Sequence, residues 1–269
     1  MNRVQESPYL DPAMVAIYDR IAAPFQFAAP ASDLVKIARV PEGAVVLDVG
    51  TGTGLVAAAA RAAVGVTGTV IATDAAFEMI RVARKGTRDI VLAQVPGLPF
   101  PNETFDTVTA GFVVSHFDSY LDGLTEMIRV CRTAGRIGMS AWGSAPNPAA
   151  SLWSDVAAEF APRDHLNEAF LKHIPWDSWF SRIENVAQAL RAAGLRSITT
   201  ETRSYAVRMP AHDYLLSRAA SMQGLILRGQ LTSAQWDDFE INVAGAFQAA
   251  FGDFVVYDRD AHFGVGTKQ

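Results

Sequence analysis

The chain has 269 residues, of which half are hydrophobic, and a formal net charge of −5. This length suits one large α/β domain, and an acidic balance without a basic block argues against nucleic acid as a partner. The single cysteine excludes an internal disulfide and a thiol-rich metal site, and the N-terminus has no signal-peptide pattern. We therefore expect a cytoplasmic protein without a membrane-inserted segment.

The first half of the chain predicts alternating helices and strands. Two N-terminal helices are expected at Asp11–Ile21 and Ser32–Arg39, separated by Pro24 and Pro30. Strands are then predicted at 45–49, 69–73, 90–94, 106–112 and 136–142. Further helices are predicted at 53–63, 76–84 and 119–131. Such alternation favours a mostly parallel sheet with helices on both faces.

The alternation breaks after Trp142. Two helical insertions are predicted, at 149–180 and 211–250, and between them a helix at 184–193 and a strand at 196–207. Two short final runs, 254–257 and 262–265, look like a strand pair. All five tryptophans lie at or after position 142, so the inserted helices either line an apolar pocket for a flat substrate or merely pack together.

A glycine-rich turn, Gly50–Gly54, follows the apolar run Val45–Val49. Glycines let the backbone approach a ligand closely, and the next helix directs free N–H groups at the same point. A second apolar run ends at Asp74, whose carboxylate can hold both hydroxyls of a ribose or cap the following helix. Together these features predict a cofactor that contains a nucleoside.

The glycine turn alone does not identify the cofactor. Leu55 stands where the dinucleotide fingerprint G-x-G-x-x-G has its third glycine, which weakens a nicotinamide reading without removing it. No Gly-Lys-Ser/Thr sequence follows, so a P-loop is excluded. Asp48, just before the first glycine, suits a ligand that carries an ammonium group.

Four ordered blocks carry a family resemblance: "VVLDVGTGTG", "TDAAFEMIRVAR", "GLPFPNETFDTVTAGFVVSHF" and "EMIRVCRTAGRIGMSAW". With them the chain resembles the class I S-adenosylmethionine-dependent methyltransferases, in particular the small-molecule branch of ubiquinone and menaquinone biosynthesis. The resemblance covers residues 15–142 well, and 185–204 and 254–268 only in pattern. It implies a Rossmann-like, seven-stranded, mostly parallel sheet with an antiparallel last strand.

The resemblance also implies one methyltransferase domain over residues 1–269. Helical lid elements are expected at about 1–40, 143–183 and 208–252. The implied cofactor is S-adenosyl-L-methionine, and the implied contact residues are Tyr18, Asp48, Gly50, Thr51, Gly52, Gly54, Asp74, Ala75, Met79, Gln94, Val95, Gly111 and Phe112.

Some of these contacts have alternatives. The family often has an aspartate where Gln94 stands, so this chain's contact with the adenine amino group is weaker. Met79 either contacts adenine or belongs to the helix core. Tyr18 either closes over the cofactor or packs the first helix.

His116 is the candidate general base, since it follows the fourth strand and relatives often carry histidine there. A structural hydrogen bond in the loop is its alternative. No pattern of metal ligands such as H-x-x-x-H is found, and no metal is expected.

The expected reaction is methyl transfer to a small, hydrophobic or aromatic acceptor, with oxygen, carbon or nitrogen as the methylated atom. A nicotinamide-dependent oxidoreductase and a non-catalytic cofactor-binding protein are the alternatives. The partner is a small molecule, and both a monomer and a homo-oligomer stay open.

Overall fold

A seven-stranded sheet organises the chain in the computed structural model, which describes residues 7–269. The strands are β1 (Val45–Val49), β2 (Thr69–Asp74), β3 (Ile90–Leu92), β4 (Phe105–Gly111), β5 (Cys131–Trp142), β6 (Arg196–Pro210) and β7 (Phe254–Thr267). Their order is β3-β2-β1-β4-β5-β7-β6. The first five strands are parallel, and β7 runs antiparallel to both β5 and β6. The predicted sheet with an antiparallel last strand is confirmed.

Helices cover both faces of the sheet. They are α1 (Pro12–Ile17), α2 (Ala28–Ile37), α3 (Leu55–Val64), α4 (Phe77–Ala83), α5 (Tyr120–Val130), α6 (Pro148–Phe160), α7 (Arg163–His173), α8 (Asp177–Phe180), α9 (Ile183–Ala192), α10 (Ala211–Ala219), α11 (Met222–Arg228) and α12 (Ser233–Phe251). Because side chains alternate along a strand, Leu47 packs with α5 and α9 on one face, and Val46 packs with α2 and α3 on the other. Within residues 7–269, no helix has both the length and the apolar character that crossing a bilayer requires.

The N-terminal helices are not separated as predicted. A π-helical stretch, Tyr18–Phe27, joins α1 to α2 and contains Pro24. At its end the Ala28 N–H donates to the Ala23 carbonyl, the i→i+5 spacing of a π-helix. Pro30 lies in the first turn of α2, where an N–H would have no partner within the helix. Neither proline therefore ends the helical path.

Two strand boundaries also differ from the prediction. β5 begins at Cys131, which was expected to end a helix but is buried in the sheet and pairs with Phe105. The two final runs form one continuous strand, because β6 supplies a hydrogen-bonding partner along the whole of β7, from Phe254 to Thr267.

The β6–β7 pair projects beyond the rest of the sheet. β5 pairs with only part of β7, Ala261 to Thr267, so residues 254–260 extend past its end. A second apolar cluster, which includes Trp153, Tyr214, Trp236, Phe239 and Phe247, packs α6, α10 and α12 against this projection. We call residues 148–173 and 205–259 the lid. It rises over the carboxyl ends of the parallel strands.

Candidate functional site

A cavity of about 530 Å³ opens between the carboxyl edge of the sheet and the lid. Ligands of open α/β sheets bind at this edge. Five neighbouring strands each place a residue on its wall, and in sheet order these residues are Asp74, Gly50, Gly111, Trp142 and Arg259. The cavity therefore crosses most of the sheet, from β2 to β7.

The glycine turn forms one side of the cavity. Gly50 has φ +66°, and a Cβ there would lie 2.4 Å from Val113 Cγ2, so only glycine lets the turn approach the end of β4. Gly52 also lines the cavity, whereas Thr51 is buried and donates its N–H to the Thr73 carbonyl at 2.9 Å. Gly54 precedes α3 and packs against α4 instead of the cavity.

The Asp74 carboxylate is held by backbone donors at the tip of β2. Its Oδ2 accepts from the Gly52 N–H at 2.8 Å, and its Oδ1 accepts from the Ala76 N–H at 2.9 Å. Burial raises the pKa of this carboxyl group, and the backbone N–H groups oppose that rise. Helix α4 has Ala76 as its N-cap, so Asp74 does not serve as the cap. Each oxygen keeps acceptor capacity for a ligand hydroxyl.

Asp48 lies behind the glycine turn and is fully buried. The Thr109 hydroxyl donates to its Oδ1 at 2.9 Å, while its Oδ2 and the Thr51 hydroxyl have no hydrogen-bond partner among the described residues. Burial raises the pKa of Asp48 to about 7. A buried carboxylate oxygen without a partner is costly, and a nearby cation would stabilise its charged form. Asp48 does not itself line the cavity, so it can act on a bound cation only from behind the glycine turn.

The side of the cavity beyond β2 is formed by α4 and the segment after β3. Ala75, Met79, Gln94 and Val95 line it. Met79 is only 4% exposed and also packs with Val15, so it belongs to the helix core and to the cavity wall at once. This end is largely apolar, as a nucleobase requires.

Aromatic rings form the middle of the wall. The Phe112 and Trp142 rings stack with their centroids 4.0 Å apart. The Phe27 ring packs edge-to-face with both, at centroid distances of 5.4 Å from Phe112 and 5.1 Å from Trp142. Tyr18 contacts Phe27 at 5.4 Å and lines the cavity, and burial raises its pKa. The cavity thus has a flat apolar surface beside its polar end.

His116 ends a short 3₁₀ turn, Val114–His116, and lines the cavity. Its ring lies 6.1 Å from the Tyr9 ring. The His116 backbone N–H donates to the Val113 carbonyl at 2.9 Å, whereas the ring nitrogens make no hydrogen bond within residues 7–269. Burial lowers the pKa of His116 to about 4. The imidazole is therefore neutral at physiological pH, as a base must be, but its proton affinity is low.

Most of the tryptophans do not line the cavity. Trp153 and Trp236 are buried in the lid cluster, and Trp176 and Trp179 pack on Tyr120 beside α5. Trp142 alone among the five lies on the wall. Packing was thus the correct alternative for four of the five rings.

Several wall residues were missed by sequence reasoning. Tyr214 and Arg218 lie four positions apart on α10, and Tyr257 and Arg259 lie two positions apart on β7. Such spacings place each pair on one face of its element. That spacing was the available signal, but it does not say which face meets the cavity.

Comparisons with known proteins agree with this geometry. Residues 47–139 match a family described as a methyltransferase domain. Demethylmenaquinone methyltransferase of Bacillus licheniformis is 35% identical over 108 residues, which are 38% of this chain and 47% of that protein. The ubiquinone/menaquinone biosynthesis C-methyltransferase UbiE of Ectopseudomonas mendocina is 30% identical over 137 residues, 48% of this chain and 54% of that protein. The chain spans about half the length of these curated relatives.

A solved structure shares the fold. Phosphoethanolamine N-methyltransferase 2 of Haemonchus contortus, in complex with S-adenosyl-L-methionine, superposes with a TM-score of 0.57. The match covers 96% of this chain and 57% of that one, at 14% identity. Identity this low shows a common fold alone.

Proposed function

We propose that the chain transfers the methyl group of S-adenosyl-L-methionine to a small hydrophobic or aromatic acceptor, since residues 47–139 match a family described as a methyltransferase domain. The observation that carries the proposal is the Asp74 carboxylate, held by two backbone N–H groups beside the glycine turn. It opens onto a cavity whose next wall is aromatic. The names of the curated relatives support a quinone precursor as one acceptor class.

Three groups of residues contact three different parts of the cofactor. Asp74 accepts hydrogen bonds from the ribose hydroxyls, and Asp48 stabilises the ammonium group from behind the glycine turn. Met79, Gln94 and Val95 surround the adenine, where the Gln94 amide is a weaker acceptor than a carboxylate. Gly111, Phe112 and Tyr18 border the end at which the methyl group is presented.

Positioning and exclusion of water supply most of the catalysis. When bound, the cofactor supplies a methyl group activated by a sulfonium, whose thioether leaving group is neutral and needs no acid. The Phe112 ring, held by its stack on Trp142, orients a flat acceptor in line with the breaking bond. Orientation of this kind is worth roughly 7–11 kcal/mol.

His116 is proposed as an acceptor-side base. The acceptor atom uses a lone pair or π electrons to form the new bond to carbon, and its proton, if it has one, leaves to His116 or to water. With a pKa of about 4, the imidazole contributes less than a histidine with an ordinary pKa. A cytoplasmic location, one domain over residues 1–269 and the oligomeric state remain predictions.

Binding and transfer measurements test the proposal. Calorimetry should detect S-adenosylhomocysteine binding and little or none of NAD, and the cofactor should transfer its labelled methyl group to members of a panel of phenols, quinols and amines. Preferential binding of NAD would favour an oxidoreductase. Binding of S-adenosylhomocysteine without transfer to any panel member would favour a non-catalytic binding protein.

A further inference from the structure

Two half-buried guanidinium groups lie at the lid end of the cavity. Arg218 projects from α10 and Arg259 from β7, and both line the wall. Among the described residues, neither has a carboxylate within 4.0 Å. The Nε of Arg218 is buried without a hydrogen-bond partner. Since partly desolvated cations without an ion pair are costly, such a pair favours an anionic ligand.

Aromatic rings fix the orientation of both arginines. The guanidinium carbon of Arg259 lies 3.4 Å from the Trp142 ring centroid, and that of Arg218 lies 5.0 Å from the Trp153 ring centroid. Arg259 also donates to the Gln26 side chain. Stacking holds the plane of a guanidinium while leaving most of its five N–H donors free. These donors can therefore meet a ligand in a fixed geometry.

A neutral donor accompanies the two charges. Tyr214 precedes Arg218 by one helical turn, is 2% exposed, and has a buried hydroxyl without a hydrogen-bond partner in the described chain. It also lines the cavity. Among the described residues, three carboxylates line the cavity, Asp74, Asp118 and Asp177. None of the three forms an ion pair within 4.0 Å with either arginine. Burial raises the pKa of Asp177, and the charge of Arg259 opposes that rise.

We propose that Arg218, Arg259 and Tyr214 form a subsite for an oxyanion, a carboxylate or phosphate, carried by the methyl acceptor. The inference rests on the proposed function, since it names the acceptor as an amphiphile. Its flat apolar body lies against Phe112, the ring that stacks on Trp142, and its anionic group is bound between the arginines.

Sheet geometry places this subsite at the end opposite the ribose. Asp74 is the last residue of β2, and Arg259 lies on β7, four strands away, which is roughly 19 Å at about 4.8 Å per strand. Phe112, where the methyl group is presented, follows β4 and is separated from β7 by β5 alone. The two backbones are then roughly 10 Å apart. The Arg259 guanidinium reaches back over the Trp142 ring on β5, which shortens the span to that of one aromatic ring with an anionic substituent.

Matched ligands test the subsite on the full chain saturated with S-adenosylhomocysteine. Calorimetry compares 4-hydroxybenzoate and 4-hydroxyphenyl phosphate with the neutral 4-hydroxybenzamide. We expect at least one anion to bind about tenfold more tightly than the amide, and the tighter of the two identifies the group. Equal binding of the amide and both anions would overturn the proposal.

Variants assign the preference to the arginines. Arg218→Met and Arg259→Met should each abolish the advantage of the anion, and Arg218→Lys should restore part of it. Arg228→Met is the matched control, because Arg228 lies over Trp236 at 5.1 Å in the same lid but does not line the cavity. Loss of the advantage in the control, or its survival in both cavity variants, would contradict the assignment.

The same titrations separate this inference from the proposed function. If wild-type protein fails to bind S-adenosylhomocysteine, the methyltransferase proposal fails, and the anion preference is then read on the protein alone. If S-adenosylhomocysteine binds but no anion is preferred, the subsite alone is wrong.

Discussion

The sheet and the lid position their site residues by different means. At the sheet edge, backbone N–H groups hold the Asp74 carboxylate, and a glycine turn sets the distance between strand ends. In the lid, ring stacking orients Arg218 and Arg259, with few hydrogen bonds to either. A site held by backbone contacts depends on a short sequence motif. A site held by side-chain packing depends on residues from several elements, and these can be replaced one at a time. The sheet therefore suits a fixed cofactor, and the lid suits a particular acceptor.

The largest effect on stability is expected from creating a cavity in the apolar core of the lid or in that of the sheet. Phe239 in the lid and Phe105 in the sheet are 1% and 0% exposed, and each change to Ala should lower the free energy of unfolding by about 3–5 kcal/mol. Urea denaturation measures this loss. At a temperature where both variants stay folded, Phe239→Ala should lose acceptor binding but keep S-adenosylhomocysteine affinity, and Phe105→Ala should keep both. Equal loss of S-adenosylhomocysteine affinity in the two variants would show that the regions do not act separately.

The buried Asp48 predicts a dependence of stability on pH. Burial raises its pKa from 3.8 to about 7, so the folded protein holds the proton more tightly than the unfolded chain. The resulting contribution to the free energy of unfolding is fully present below the pKa of Asp48 in the unfolded chain. It is lost as pH rises towards 7, by up to about 4 kcal/mol. Asp48→Asn should remove it. Urea midpoints would then fall with pH more steeply in the wild type than in the variant, and parallel slopes would contradict the prediction.

Asp74→Ala should weaken S-adenosylhomocysteine binding by about 10- to 100-fold, because charged hydrogen bonds of this kind are worth about 1.5–3 kcal/mol. Calorimetry gives the dissociation constant directly. Asp89→Ala, a change at an exposed carboxylate just before β3, is the matched control and should leave the constant unchanged. An unaltered constant in Asp74→Ala would remove the ribose contact from the proposed site.

The smallest effect is expected at His116. His116→Gln should lower kcat by less than about 100-fold, the lower end of general-base contributions, because burial brings the pKa of this imidazole to about 4. The affinity for S-adenosylhomocysteine should stay within about twofold. Steady-state kinetics across pH provide the test, and an unchanged kcat at every pH would leave His116 without a catalytic role.

Much of the sheet region was predictable because its signals are local. The strand at Val45–Val49 was predicted with its observed bounds, and the glycine turn and Asp74 lie on the two strand ends that the motif implied. Parallel strands and right-handed connections then bring those ends to one edge. The sequence could not show that Gly54 faces α4 rather than the cavity, since this depends on how two helices pack.

The sequence by itself indicated a methyltransferase-like domain, a mostly parallel sheet with an antiparallel last strand, and the strand ends that line the cavity, because glycine turns and strand-end carboxylates act over a few residues. Tertiary structure decided the rest. It joined the N-terminal helices through a π-helical stretch despite Pro24, packed four tryptophans within or against apolar clusters, and brought Arg218 and Arg259 to one wall. These residues are distant in the chain, and whether each is buried depends on packing between elements that no local pattern encodes.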